Sequence, residues 1–279
     1  MCVLQLLSNK RIQSFQNVRD EEVGLLIKSI KDSSSETVNL RHLFAALSNN
    51  IVCRIALGRT FEEDGFCVDK DGIKVVILDM FAAGTETTST TLEWIMAALI
   101  KSPEVMFKLQ NEVREIGKGK LKIEDSDLVK MPYLKAVIKE SLRLYSPTPL
   151  LARQAREDVT VLGYKIKFQT RVNINAWALA RDPTLWDCPE EFKTKRFFDT
   201  TADYKGLHYE FLPFGAGRRG CPVIQFRMTV VELALANVLN VFEFTLPGGR
   251  NSEELDMASS FGINVTKKYP LLVIAKPYK

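Results

Sequence analysis

The sequence predicts a mainly α-helical chain with small β-sheets, an α+β protein. Three observations carry that expectation. Apolar residues recur at helical spacing through roughly the first 170 positions. Short alternating runs around Gly163 then replace that period. A stretch over 181–220, rich in Pro, Gly and charge, has no period at all and is followed by an apolar helical run from Pro222 to Val241.

The N-terminal run MCVLQLLSNKRIQSF reads as an amphipathic helix already under way. Val38 to Leu57 predicts a helix of small and apolar residues. Phe61-Glu-Glu-Asp-Gly65 through Asp69-Lys-Asp-Gly72 predicts a loop, and Ile73 to Ile100 a long apolar helix. Ser102-Pro103-Glu104 restarts a helix with a cap, a first-turn proline and an acid; it ends near Gly117 and Gly119. The next helix spans Pro132 to Tyr145 and stops at Ser146-Pro147. Val159-Thr-Val161, Tyr164-Lys-Ile166 and Val172-Asn-Ile174 predict short strands, and Leu271 to Ile274 a terminal one. The aperiodic 181–220 stretch is long for a loop in a compact domain, which points either to a functional segment or to elements that the pattern hides.

Composition narrows the function classes. The 279 residues are 46% hydrophobic and 26% charged, with a net charge of +4 that is spread along the chain. No basic run interleaved with aromatics is present, which argues against nucleic acid. The five cysteines, Cys2, Cys53, Cys67, Cys188 and Cys221, are widely spaced and odd in number. With neither CxxC nor zinc spacing, a reduced compartment fits better than a disulfide framework. The most apolar stretch, Val75 to Ala83, carries Asp79 and falls well short of the ~20 residues of a membrane span. The N-terminus lacks a signal-peptide layout. His42 and His208 have no second ligand at metal spacing. Trp94, Trp177 and Trp186 are expected in the core.

Three constellations carry chemistry. Phe214-Gly-Ala-Gly-Arg-Arg-Gly-Cys221-Pro222 delivers one cysteine on a glycine-rich loop to what reads as a helix start, with Pro222 at the first helical position. The helix dipole, Arg218 and Arg219 are expected to lower the thiol pKa, giving a thiolate that attacks a substrate or binds a metal. The plain alternative is a buried structural cysteine. A thiol redox role lacks a nearby resolving cysteine. In Ala83-Gly84-Thr85-Glu86-Thr87-Thr88, a glycine, an acid and several hydroxyls interrupt an apolar helix. This is either a functional site or a kinked core helix whose threonines bond back to the preceding turn. Glu140-x-x-Arg143 places an acid and a base on one helix face, in the plain case as an exposed ion pair.

The order of these motifs resembles the cytochrome P-450 family, haem-thiolate monooxygenases, in its plant microsomal form. The resemblance spans the chain as a single incomplete domain, residues 1–279. It implies an oxygen-activation helix at about 73–101 and a haem-cysteine loop at about 213–223. Cys221 would be the axial ligand of haem b, pushing electron density onto iron. Phe214 and Gly217 would belong to the haem loop, with Arg153 and Arg219 on the propionates. Glu86 and Thr87 would relay protons, and Gly84 would leave room above the haem. Glu140, Arg143 and Arg196 would form a buried network beneath the haem. Two electrons from NADPH would arrive through cytochrome P-450 reductase docking on the basic face of Arg218, Arg219 and Arg227. One oxygen atom would enter an apolar small molecule of plant secondary metabolism. The location implied is the cytosolic face of the endoplasmic reticulum membrane, or solution if the anchor is missing.

Several positions depart from that family. The expected partial fold lacks the N-terminal anchor, first strands and substrate-roof helices, with only Thr60 to Gly72 bridging the gap before the long helix. Val223 replaces a glycine two residues after Cys221, Thr194-Lys195 replaces Pro-Glu before Arg196, and Lys167-Phe-Gln169 replaces a Pro-Lys-Gly turn. These departures give the alternative reading, a truncated fragment or pseudoenzyme that binds haem poorly or not at all.

Overall fold

The computed structural model describes residues 8–33, 36–57, 70–198, 200, 202–262 and 264–278. The first seven residues, which include Cys2, and residues 61–69 of the expected loop, with Cys67, lie outside the described residues; the last three residues of that expected loop, Lys70 to Gly72, are helical instead.

The helices are α1 (Asn9–Ser14), α2 (Gln16–Asp32), α3 (Leu40–Leu57), α4 (Lys70–Lys101), α5 (Pro103–Gly117) and α6 (Pro132–Leu144), then the short α7 (Ala176–Leu179) and α8 (Ile224–Val241). Helix α8 is the hub of the core. Phe226, Met228, Val231, Leu233, Leu235 and Val238 point to different sides of it and are all buried, and α2, α4, α5 and α6 pack around it. A helix apolar all round is stable only when wrapped in this way. By length and mean hydropathy (1.2) it could cross a membrane, a candidate beyond Val75–Ala83; its burial assigns it to the interior. Helix α2 was not anticipated. Val23, Leu26 and Ile30 form its apolar stripe. Its buried Arg19 pairs with Asp125 and donates to the Ile12 carbonyl at 2.6 Å.

Helix starts depart from expectation in two places. The Ser102 side chain does not cap α5; its carbonyl accepts from the Val105 and Met106 amides. The α6 N-terminus is capped by another helix: the Glu112 carboxylate accepts from the Tyr133 and Leu134 amides at 2.8 and 2.9 Å. Burial pushes the Glu112 pKa up, and the two amides oppose this.

Four small antiparallel sheets complete the fold. β1 (Thr37–Asn39), β9 (Leu272–Pro277) and β6 (Phe242–Thr245) form one of order β1-β9-β6. β2 (Leu150–Gln154) pairs with β5 (Arg171–Asn175), β3 (Val159–Val161) with β4 (Tyr164–Ile166), and β7 (Ser259–Phe261) with β8 (Val265–Lys267). The β3–β4 turn places Leu162 at φ 49° and Gly163 at φ 84°, the double positive φ that a two-residue hairpin requires. Among its described residues the 181–220 segment holds two single-turn helices, Thr194–Phe197 and Gly217–Arg219, among turns and bends. Helix α8 begins at Ile224 rather than Pro222. Trp94 and Trp186 are buried, but Trp177 is 51% exposed, with the Arg181 guanidinium stacked 4.4 Å above its ring.

Candidate functional site

The cysteine loop is built by its glycines. Gly215 and Gly217 both sit at φ 67°, a region closed to most side chains. A Cβ on Gly215 would also meet the Arg153 guanidinium at 3.3 Å, so this glycine serves both the turn and the close approach of β2. Replacing it with alanine should cost about 1–2 kcal/mol from the left-handed backbone alone, measurable by urea unfolding. The Cys221 amide closes the loop on the Phe214 carbonyl at 2.9 Å, and Gly220 bonds to Gly217 at 3.0 Å.

Cys221 is a free thiol, partly buried. Burial pushes its pKa up, opposed by a hydrogen bond from the Val223 amide and by the charge of Arg227. This corrects the expectation of a lowered pKa. The helix starts two residues later than expected, three after Cys221, so the sulfur is not at its first turn. Arg218 and Arg219 stand exposed on the outer side of the turn. A thiol held like this is a poor free nucleophile, whereas a bound metal would deprotonate it outright. Val223 has φ −112°, an ordinary backbone that does not need glycine, and it packs against the core.

Beside the loop lies a cavity of about 1480 Å³ lined by Arg153, Arg156, Arg171, Arg218 and Arg219, with Phe168 and Ala216 among the apolar residues. Arg153 and Arg219 thus meet in one cationic space. Phe214 is buried. Tyr204 meets its ring edge-on at 5.7 Å, and the Arg227 guanidinium lies 4.9 Å from its centre.

Across from the loop runs α4. Thr87 Oγ1 donates to the Ala83 carbonyl at 2.6 Å, and Thr88 Oγ1 to the Gly84 carbonyl at 2.8 Å, the back-bonding open to threonines in a helix. Thr85 Oγ1 is buried with no partner. Glu86 is exposed. Gly84 does not open space above a site: a Cβ there would come within 3.1 Å of Val52. It is the point where α4 closes on α3.

The third group is the most buried. Glu140 accepts from Arg143 Nη2 at 2.8 Å and Nε at 2.9 Å. It also accepts from the Lys193 amide at 2.8 Å and Arg196 Nε at 3.2 Å. The remaining Arg143 donors reach the Ala180, Pro189 and Glu191 carbonyls, and Arg196 holds the Asp187 and Cys188 carbonyls. Both pair members have 0% side-chain exposure. This is not the exposed ion pair of the plain reading. It locks the end of α6 to the aperiodic segment. Lys195 is exposed, so its charge points away from Arg196's partners.

Two buried charges on α8 escaped the sequence reading. Arg227, expected on a docking surface, is 5% exposed; its Nη2 donates to the Thr87 carbonyl at 3.0 Å and to Thr91 Oγ1. Glu232 is buried on the same helix, and burial raises its pKa to about 7. The signal for both was present: they are the two charged residues of a largely apolar 18-residue helix. No group of three metal-ligating side chains occurs among the described residues.

Comparison with known proteins identifies the family. The model of the cytochrome P-450 family matches residues 63–273. Psoralen synthase of Ammi majus is 45% identical over 359 aligned residues, covering all of this chain and 73% of that enzyme. Since this chain has 279 residues, 359 − 279 leaves at least 80 aligned positions opposite gaps in it. (+)-Menthofuran synthase of Mentha piperita is 40% identical, covering 99% of this chain and 73% of its own. A zebra fish cytochrome P-450 solved with abiraterone superposes with a TM-score of 0.84 over 95% of this chain and 78% of its own, at 22% identity. By motif order, fold and relatives, this chain belongs to the cytochrome P-450 family of monooxygenases, among its plant members.

Proposed function

We propose that the chain is a haem-thiolate monooxygenase that inserts one oxygen atom of O2 into an apolar small molecule of plant secondary metabolism. The observation that carries this is Cys221: a lone, half-buried thiol on a glycine loop whose Arg218 and Arg219 line a cationic cavity, followed by a helix whose Arg227 reaches the Thr87 turn of α4. The donor chemistry fits haem b. A soft sulfur already holding the Val223 amide suits iron, and Arg153 and Arg219 suit two carboxylates. When bound, the haem supplies the oxygen-activating chemistry.

The protein's part is positioning and proton handling. Thr87 Oγ1 holds a proton at the wall of the site, parked on the Ala83 carbonyl. Exposed Glu86, one residue earlier, can exchange protons with solvent. Phe214 and Gly217 shape the loop, and the Glu140–Arg143–Arg196 network fixes the segment leading to it. Electrons would come from NADPH through cytochrome P-450 reductase, at the cytosolic face of the endoplasmic reticulum. With Arg227 buried and Arg219 assigned to a carboxylate, the exposed Arg218 remains as a docking cation.

The 80 gapped positions support a second reading, a haem-poor pseudoenzyme. Spectroscopy separates the two. The chain is supplemented with haem, reduced and exposed to carbon monoxide. A red-shifted, thiolate-type Soret band is expected, and Cys221→Ser should lose the shift. A protein that takes up no haem supports the pseudoenzyme.

A further inference from the structure

Arg227 is the one buried cation of the site that the proposed chemistry does not use. It grows from α8, the helix that follows Cys221, and its side chain crosses to α4. There Nη2 donates to the Thr87 carbonyl and the Thr91 hydroxyl, while the guanidinium lies over Phe214. Nε is buried without a partner. Among the described residues no carboxylate forms an ion pair with this guanidinium. A buried, incompletely satisfied guanidinium is costly, and such a group persists where it bridges elements that would otherwise leave a gap.

Its position defines that gap. The proposed function puts haem between Cys221 and the Thr87 turn, and Arg227 reaches from one to the other. We infer that Arg227 is a latch. In the haem-free chain it ties the cysteine loop's helix to α4 and occupies the space between them, so that haem binds only by displacing it. The inference rests on the proposed function for the identity of what is displaced. The latch itself is visible without haem. Displacement is feasible because the held atoms are a carbonyl and a hydroxyl rather than a carboxylate.

The test uses the full chain with Arg227→Met, which keeps the stem and removes the guanidinium, and Thr91→Val, which removes one partner. In the haem-free proteins, hydrogen exchange at the amides of residues 87–91 should accelerate about tenfold in Arg227→Met. In a haem titration followed at the Soret band, Arg227→Met should bind about tenfold more tightly than the parent, with Thr91→Val in between. Unchanged exchange overturns the latch. Faster exchange with equal or weaker haem affinity overturns the displacement. The proposed function fails separately: haem uptake insensitive to Cys221→Ser refutes it and leaves the exchange result standing, whereas no uptake by any variant refutes both the function and the displacement.

Discussion

Replacing Glu140 by alanine should destabilise the protein by about 3–5 kcal/mol, the usual loss when one partner of a buried ion pair is removed. Four donors converge on this carboxylate: two from Arg143, one from Arg196 and the Lys193 amide. Its removal leaves the fully buried Arg143 guanidinium without a counter-charge and strips the aperiodic segment of its anchor on α6. Against a typical total of about 5–15 kcal/mol, this is a large share. Chemical unfolding of the haem-free chain measures it. A Glu140→Leu/Arg143→Leu double variant should lose less than the two single variants combined, because no unpaired charge remains buried. Additive losses would mean that the residues act independently.

The second large effect depends on pH. Burial raises Glu232 to about 7 in the folded chain, from an ordinary value of 4.5. The folded state therefore holds this proton more tightly than the unfolded state does. The neutral carboxyl is tolerated below pH 4.5. Its ionisation then costs stability as the pH rises from 4.5 through 7, on the order of 3 kcal/mol in full. Glu232→Gln should accordingly match the parent near pH 4.5 and exceed it by about that amount at pH 8. Unfolding curves at the two pH values test this, and a gain of equal size at both would point to packing instead of charge.

The helices were legible where apolar residues repeat at helical spacing. The expected Ile73–Ile100 and Pro132–Tyr145 lie within a residue or a few of the observed Lys70–Lys101 and Pro132–Leu144. Strands β1, β2, β6, β7 and β8 were not legible, and Val38 and Asn39, expected in a helix, lie in β1. β2 follows two prolines, and only Leu151 on it is buried, so no alternation marks it. For the candidate site, motif spacing picked out the loop, the threonine turn and the Glu140 group. It could not show which way Gly84 faces or that Arg227 is interior. A side chain's direction depends on the neighbouring helix, and nothing local to the sequence encodes that neighbour.

The long helix α4 has a consequence of its own. Every residue from Thr88 to Ile100 is buried, whereas Leu78, Ala82, Ala83 and Glu86 are exposed. Glu93 clamps the buried part, accepting from Arg41 and from the Leu271 amide at 2.9 Å, and Trp94 adds a bond to the Val265 carbonyl at 3.1 Å. Mechanically this is a cantilever: one end is bolted into the core, and the Gly84–Thr87 turn lies just beyond the bolts, stayed by α3 at Gly84 and by Arg227 at Thr87. Amide exchange should slow along the helix from Ala82 to Leu92. A guest seated at that turn stiffens the overhanging arm and must offset the entropy that the arm loses.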